Sequence, residues 1–137
     1  MEDIVKTLHA NDIFLSYAAA AYFRKGKLIN MVSSNKKWQS LWKDKKLYQD
    51  DPCVILGQES CYAYMPWEFL SPCEKILSLR KELCAIERGI TFFTRFEEHL
   101  FLVAAGWDHT ESQNIHLDNL FSILNKRAIK HVIACEK

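Results

Sequence analysis

Long apolar runs, paired cysteines and stretches rich in glycine or proline are all missing from this 137-residue chain. The longest nearly unbroken apolar stretches, Tyr17 to Phe23 and Leu100 to Ala105, fall far short of the roughly 20 residues needed to cross a bilayer. No membrane span is expected. The N-terminus opens Met1-Glu2-Asp3, acidic where an export signal carries positive charge ahead of an apolar segment, so the expected compartment is the cytoplasm. Cys53, Cys61, Cys73, Cys84 and Cys135 are odd in number and hold no Cys-x-x-Cys pair, which argues against a disulfide framework and against a zinc site. Reduced thiols, several of them in the core, are the expectation. The three prolines and four glycines fall singly, without repeats or linkers, and one domain over residues 1–137 follows.

What is present suits a folded core. Hydrophobic residues make up 49% of the chain and the net charge is +1, far from the polar, highly charged composition of a disordered segment. Charge is nevertheless uneven. Residues 1–50 hold nine Lys/Arg against five Asp/Glu, a balance of +4, and residues 51–137 hold nine against twelve, a balance of −3. The excess lies in Arg24-Lys25-Gly26-Lys27, Lys36-Lys37 and Lys43 to Lys46. These short groups have neither the basic excess nor the reading element of a DNA-binding domain, and a solvated surface explains them better.

Periodicity supplies the elements. Ile4, Val5 and Leu8 share one face of a short helix. Ile13 to Phe23 and Leu28 to Val32 read as two antiparallel strands around a glycine-containing turn. Trp38, Leu41, Trp42 and Tyr48 gather near one side of a helix that must end before Asp51-Pro52, since proline disfavours the α conformation in the residue before it. Residues 53–70 predict only irregular or short elements. Ser71-Pro72-Cys73-Glu74 has the form of a capping box and opens a helix to about Arg88, with Gly89 closing it. Strands follow over Ile90 to Arg95 and Leu100 to Ala105, joined by a turn at Phe96 to His99. Thr110-Glu111-Ser112-Gln113 is a second capping box, ahead of a helix that buries Leu117, Leu120, Phe121 and Leu124. Ile129 to Cys135 extends that helix or forms an edge strand. The order predicts an α+β fold, a mostly antiparallel sheet covered by helices in an α-β-α sandwich.

Chemistry-bearing residues are sparse. Cys61 or Cys84 as nucleophile and His99, His109 or His116 as base lack any flanking motif, so an enzyme is not expected. Asp108, His109, Glu111 and His116 make a poor metal set, because they straddle a helix cap. Neither a metal nor a cofactor is expected. Trp107 reads as core. Trp38 and Trp42 lie one turn apart on the helix that leads to Asp51. An indole N–H and a carboxylate are the donor and acceptor that hold an amide- or lactone-containing ligand in an apolar cavity. Spacing alone equally allows Asp51 to be an ordinary turn residue before proline.

Three groups of residues resemble a known family. Trp38-Gln39-Ser40-Leu41-Trp42, then Asp51-Pro52-Cys53-Val54 thirteen residues after the first tryptophan, then Met65-Pro66-Trp67, are similar to the autoinducer-binding domain of LuxR-type quorum-sensing regulators. Ser33-Ser34-Asn35 resembles the Ser-Asn that ends that domain's second strand, and Gly89-Ile90-Thr91 the Gly-hydrophobic-Ser/Thr that opens its third. The resemblance covers about residues 13–125. It implies a pocket between the sheet and one helical layer for an N-acyl homoserine lactone. In that pocket Trp38 donates to the lactone carbonyl, Asp51 accepts from the amide N–H, Trp42 and Trp67 wall the cavity, and Thr91 lies among the ligand-binding residues. It also implies a homodimer, or a heterodimer with a LuxR-type regulator.

The departures are specific. Lys36-Lys37 stands where the family has Tyr-Pro, which removes a phenol from the ligand's amide carbonyl. Trp42 replaces a tyrosine, Leu47 a common aromatic, Phe93 a proline, and Ala104 or Ala105 a serine. The helix-turn-helix that reads DNA in the family is not in this sequence, so direct DNA binding by this chain is not expected. Two readings follow: a transcription-regulator-like sensor of a small hydrophobic signal, and a stand-alone domain with a degenerate pocket that works as a protein-interaction or anti-activator module.

Overall fold

The computed structural model describes residues 1–11, 16–70, 73–86, 88–107 and 117–135. The described elements run α1 (Glu2–Asn11), β1 (Tyr17–Arg24), β2 (Lys27–Ser33), α2 (Lys36–Asp44), α3 (Pro52–Glu59), β3 (Tyr64–Pro66), α4 (Glu74–Cys84), β4 (Arg88–Phe96), β5 (His99–Trp107) and α5 (Leu117–Cys135), with single 3₁₀ turns at Leu47–Gln49 and Trp67–Phe69. The strands form one antiparallel sheet in the order β2-β1-β5-β4-β3. The α+β sandwich expected from the sequence is the observed architecture.

Strands β1 and β5 explain why their sequences are apolar throughout. They are central and covered on both faces, so alternate residues serve two cores rather than one core and solvent. On one face Ala18, Ala20 and Tyr22 of β1 and Phe101, Val103, Ala105 and Trp107 of β5 meet Ile4, Val5 and Leu8 of α1 and Leu120, Leu124, Ala128 and Val132 of α5. On the other, Tyr17, Ala19, Ala21 and Phe23 with Leu100 and Leu102 meet Trp38, Trp42, Leu47, Cys53, Val54, Trp67 and Ile76. The second layer is richer in tryptophan, and it carries the candidate site.

The β1–β2 hairpin turns at Lys25 and Gly26, both at positive φ (50° and 77°); this is the left-handed pair that a tight hairpin demands. Two cations of the basic group there are paired locally, as Arg24 and Lys25 meet Glu98 of the adjacent β4–β5 turn at 2.9 and 3.5 Å.

Three expectations change. Residues 53–70 hold a full helix, α3, begun by Asp51 as N-cap and Pro52 in its first turn. The helix expected to run through Tyr48 ends early: α2 closes at Asp44 with Lys45 as its C-cap, and Tyr48 lies in the separate 3₁₀ turn Leu47–Gln49, so Asp51-Pro52 starts α3 and does not stop α2. Helix α4 begins after Cys73 and ends at Cys84, closed by Ala85 in the left-handed conformation (φ 56°), while Gly89 lies inside β4. Of the two readings left open for Ile129 to Cys135, the helical one holds, and the segment continues α5. Ser71 and Pro72, Ile13 at the expected start of the first strand, and the Thr110 to Gln113 capping box lie outside the described residues.

Among the described residues no helix is long and apolar enough to cross a membrane.

Ala85 carries a side chain in a conformation that costs a non-glycine residue about 1 kcal/mol or more. Ala85→Gly is therefore expected to stabilise the fold by about 0.5–1 kcal/mol, read as a rise in the urea midpoint at unchanged slope.

Candidate functional site

The site begins with a cap. Asn35 accepts the backbone N–H of Trp38 at 2.9 Å on its side-chain oxygen and donates its amide to the carbonyl of Leu83 at 2.7 Å. One asparagine so fixes where α2 starts and ties it to the end of α4. From that start the one-turn spacing of Trp38 and Trp42 aims both indoles at the sheet, where both are buried.

Asp51 is the junction of the layer. Its Oδ1 accepts the backbone N–H of Cys53 at 2.9 Å and caps α3, and its Oδ2 accepts the indole N–H of Trp42 and the guanidinium Nη2 of Arg80, each at 3.1 Å. All three polar residues are buried, with Asp51 3% and Arg80 7% exposed. Burial pulls the Arg80 pKa down and the neighbouring Asp51 carboxylate pushes it up, with a net rise, so the guanidinium is held charged.

Arg80 fills the space between two indoles. Its guanidinium carbon lies 4.4 Å from the ring centroid of Trp67 and 5.4 Å from that of Trp38, within the range of cation–π attraction. Trp67 in turn lies against β4 and β5 at the paired residues Gly89 and Gly106. A Cβ on Gly89 would come within 2.5 Å of the Trp67 ring and 2.6 Å of the Ala105 carbonyl oxygen, so only glycine admits the indole there. The Trp67 N–H donates to Thr91 Oγ1 at 2.8 Å, and the Thr91 hydroxyl donates to Cys53 Sγ at 3.2 Å.

The structure thus brings Trp38, Trp42, Asp51, Trp67 and Thr91 into one cluster on one face of the sheet. Arg80 binds that cluster together, and sequence reasoning missed it. Its signal was present but ambiguous, since an arginine within a helix of otherwise mixed charge reads as surface until the sheet is laid against it.

Two donors in this cluster are unspent. Arg80 Nε is buried with no hydrogen-bond partner. The Trp38 indole N–H makes no hydrogen bond among the described residues. Of the two, Arg80 Nε is the fully buried one, and a buried donor without an acceptor costs free energy.

Among the described residues, the other candidate side chains lie apart. Cys84 lies at the end of α4, where burial pushes its thiol up to about 11. His99 points to the opposite face of the sheet, 2.7 Å from the Tyr22 hydroxyl. Cys61 is exposed. Asp108, His109, Glu111 and His116 lie outside the described residues, and among the described residues no group of three His, Cys, Asp or Glu side chains is placed to hold a metal ion.

No protein-family model matches the chain, and no curated protein matches it in sequence. Solved structures do. SdiA from Escherichia coli superposes with a TM-score of 0.72 at 14% identity over 99% of this chain and 62% of its own. CepR2 from Burkholderia cenocepacia, described as an N-acylhomoserine lactone-dependent LuxR-family transcription factor, gives 0.61 at 12% identity over 85% of this chain and 73% of its own. The ligand-binding domain of VqsR from Pseudomonas aeruginosa gives 0.55 at 14% identity, over 94% and 91%. The chain spans less than two thirds of the SdiA chain. Its fold is that of the ligand-binding domains of LuxR-type regulators.

Two outcomes follow from the buried cluster. Asp51→Asn strips Arg80 of its counter-charge and is expected to cost about 3–5 kcal/mol of stability in urea unfolding, most of it recovered when Arg80→Met is added. The second concerns alkali. Burial first, then the Asp51 charge, lifts the Cys53 thiol from 9.0 to about 12, and burial raises Tyr17 as well. The unfolded chain releases the Cys53 proton near its ordinary value while the folded chain keeps it, so the unfolded state binds fewer protons in between. Stability should be intact below pH 9 and fall as pH rises from 9 towards 12, a fall that Cys53→Ala makes shallower in stepped-pH denaturation.

Proposed function

We propose that this domain is a cytoplasmic sensor of a small hydrophobic signal, an N-acyl homoserine lactone or a molecule of the same acyl-lactone build, and that it serves a quorum-sensing regulator. The observation that carries the reading is the convergence of Trp38, Trp42, Asp51, Trp67 and Thr91 on one buried cluster with the Trp38 indole N–H unspent. In this reading Trp38 donates to the lactone carbonyl, Trp42, Trp67 and Thr91 wall the head-group end, and Asp51 anchors it. The dependence of CepR2 on N-acylhomoserine lactone, in a protein of the same fold, supports the ligand class. Ligand binding reinforces a homodimer or a heterodimer with a LuxR-type regulator.

A second reading has one specific observation in its favour. Arg80 already occupies Asp51, which suits a domain whose pocket is self-filled and which acts as an anti-activator by pairing with a regulator.

Thermal unfolding of the purified chain against N-acyl homoserine lactones of graded tail length separates the two. Ligand that binds only the folded state raises the midpoint, and the sensor reading expects a rise confined to some tails. Trp38→Phe keeps the ring and removes the donor, so it should lower affinity about five- to tenfold with the fold retained. No shift with any tail would transfer the function to the protein-interaction reading.

A further inference from the structure

We infer that Asn30 and Gln39 close the free edge of the sheet, so that neither a second copy of this chain nor another protein pairs with the domain by adding a strand to β2.

An exposed sheet edge is a template, because its row of open N–H and C=O groups pairs readily with a strand from another chain. The five-stranded sheet has two such edges, β2 and β3. At β3 the chain itself limits pairing, since the strand is three residues long and ends in Pro66, which has no N–H to give. Strand β2 is seven residues long, Lys27–Ser33, and contains no proline.

Two side-chain oxygens protect it. The N–H of Ser34 donates to the Ala18 carbonyl across the hairpin at 2.8 Å, and N–H groups alternate in direction along a strand. Those of Ser33 and, two residues earlier, Met31 therefore face away from β1. Neither is left open: Met31 N–H donates to Asn30 Oδ1 at 2.9 Å, and Ser33 N–H donates to Gln39 Oε1 at 2.8 Å. Each backbone N–H has a single proton to donate, so an incoming strand meets bonds that are already made. Gln39 is itself fixed by α2. Its backbone N–H donates to the Asn35 carbonyl at 3.0 Å, and Lys36 Nζ donates to the same Oε1 at 3.3 Å.

The first half of β2 is unsuited to pairing for a different reason. Tyr22 lies opposite Asn30 and Phe23 opposite Leu28, which leaves Ile29 as an extra residue in a bulge. Lys27 stands exposed at the start of the strand. A bulge twists an edge away from a partner, and an exposed lysine opposes one. The homodimer or heterodimer proposed above then forms through the helical layers and not through the sheet.

Hydrogen exchange of single amides, followed by NMR at low and high protein concentration, tests the inference. In the unaltered chain the Met31 and Ser33 amides are expected to be protected, and equally so at both concentrations. Asn30→Val combined with Gln39→Met removes both acceptors while keeping strand preference and bulk. In that variant the two amides are expected to lose protection about tenfold when dilute and to regain it when concentrated, together with a rise in sedimentation coefficient. Gln39→Glu, which keeps an acceptor beside Lys36, is expected to behave as the unaltered chain. Open exchange of the two amides in the unaltered chain would overturn the inference, and so would protection there that grows with concentration. A folded double variant whose amides stay protected when dilute, or stay open when concentrated, would overturn it as well. The unaltered chain decides the point even where the double variant fails to fold.

Discussion

One carboxylate organises the tryptophan-rich half of this molecule. Asp51 caps α3, receives the Trp42 indole from α2 and receives the Arg80 guanidinium from α4, so three helices meet at two oxygens. A buried ion pair contributes little net stability relative to an apolar substitute, but its geometry is exacting, because either member alone is a buried uncompensated charge. The pair therefore acts as a register for the layer. It sets where α4 lies against α2 and α3, and the apolar contacts of Ile76, Leu47 and Val54 supply the burial energy around it.

The sheet supplies the other half of that arrangement. Gly89 and Gly106 sit opposite each other on β4 and β5 and leave a flat place for the Trp67 ring. Arg80 covers the other side of the same indole. The guanidinium thus joins the indole of Trp67, seated on the glycine pair, to that of Trp38 on α2. The candidate ligand residues are consequently also structural residues, and their chemistry cannot be separated from the packing that holds them.

The same fold in SdiA, CepR2 and VqsR, at identities of 12–14%, shows how little sequence is required to specify the architecture. The α1 and α5 face is ordinary apolar packing, and many residues of similar volume fill such a space. Specificity concentrates instead in the opposite layer, at positions where a donor, an acceptor or the absence of a side chain is needed.

The α+β order, the β1–β2 and β4–β5 hairpins, α2 with its paired tryptophans and the apolar faces of α1 and α5 were all legible from periodicity and turn residues, which are local properties of the chain. The five residues Trp38, Trp42, Asp51, Trp67 and Thr91 were legible as a group only through a family resemblance. Helix α3 was missed because Val54, Ile55 and Leu56 run consecutively, which gives no helical stripe, and Asp51-Pro52 was read as a stop. Arg80 was invisible because a charged residue in a helix is by default solvated, and its burial exists only once Trp67, from the turn after β3, and Trp38, from α2, pack against it. Sequence by itself determined the elements and the residue types available, since those follow from spacing and conformational preference along the chain. Tertiary structure alone decided that Arg80 meets Asp51, because that pairing depends on distances between residues 29 apart in the chain, and no local rule acts over that span.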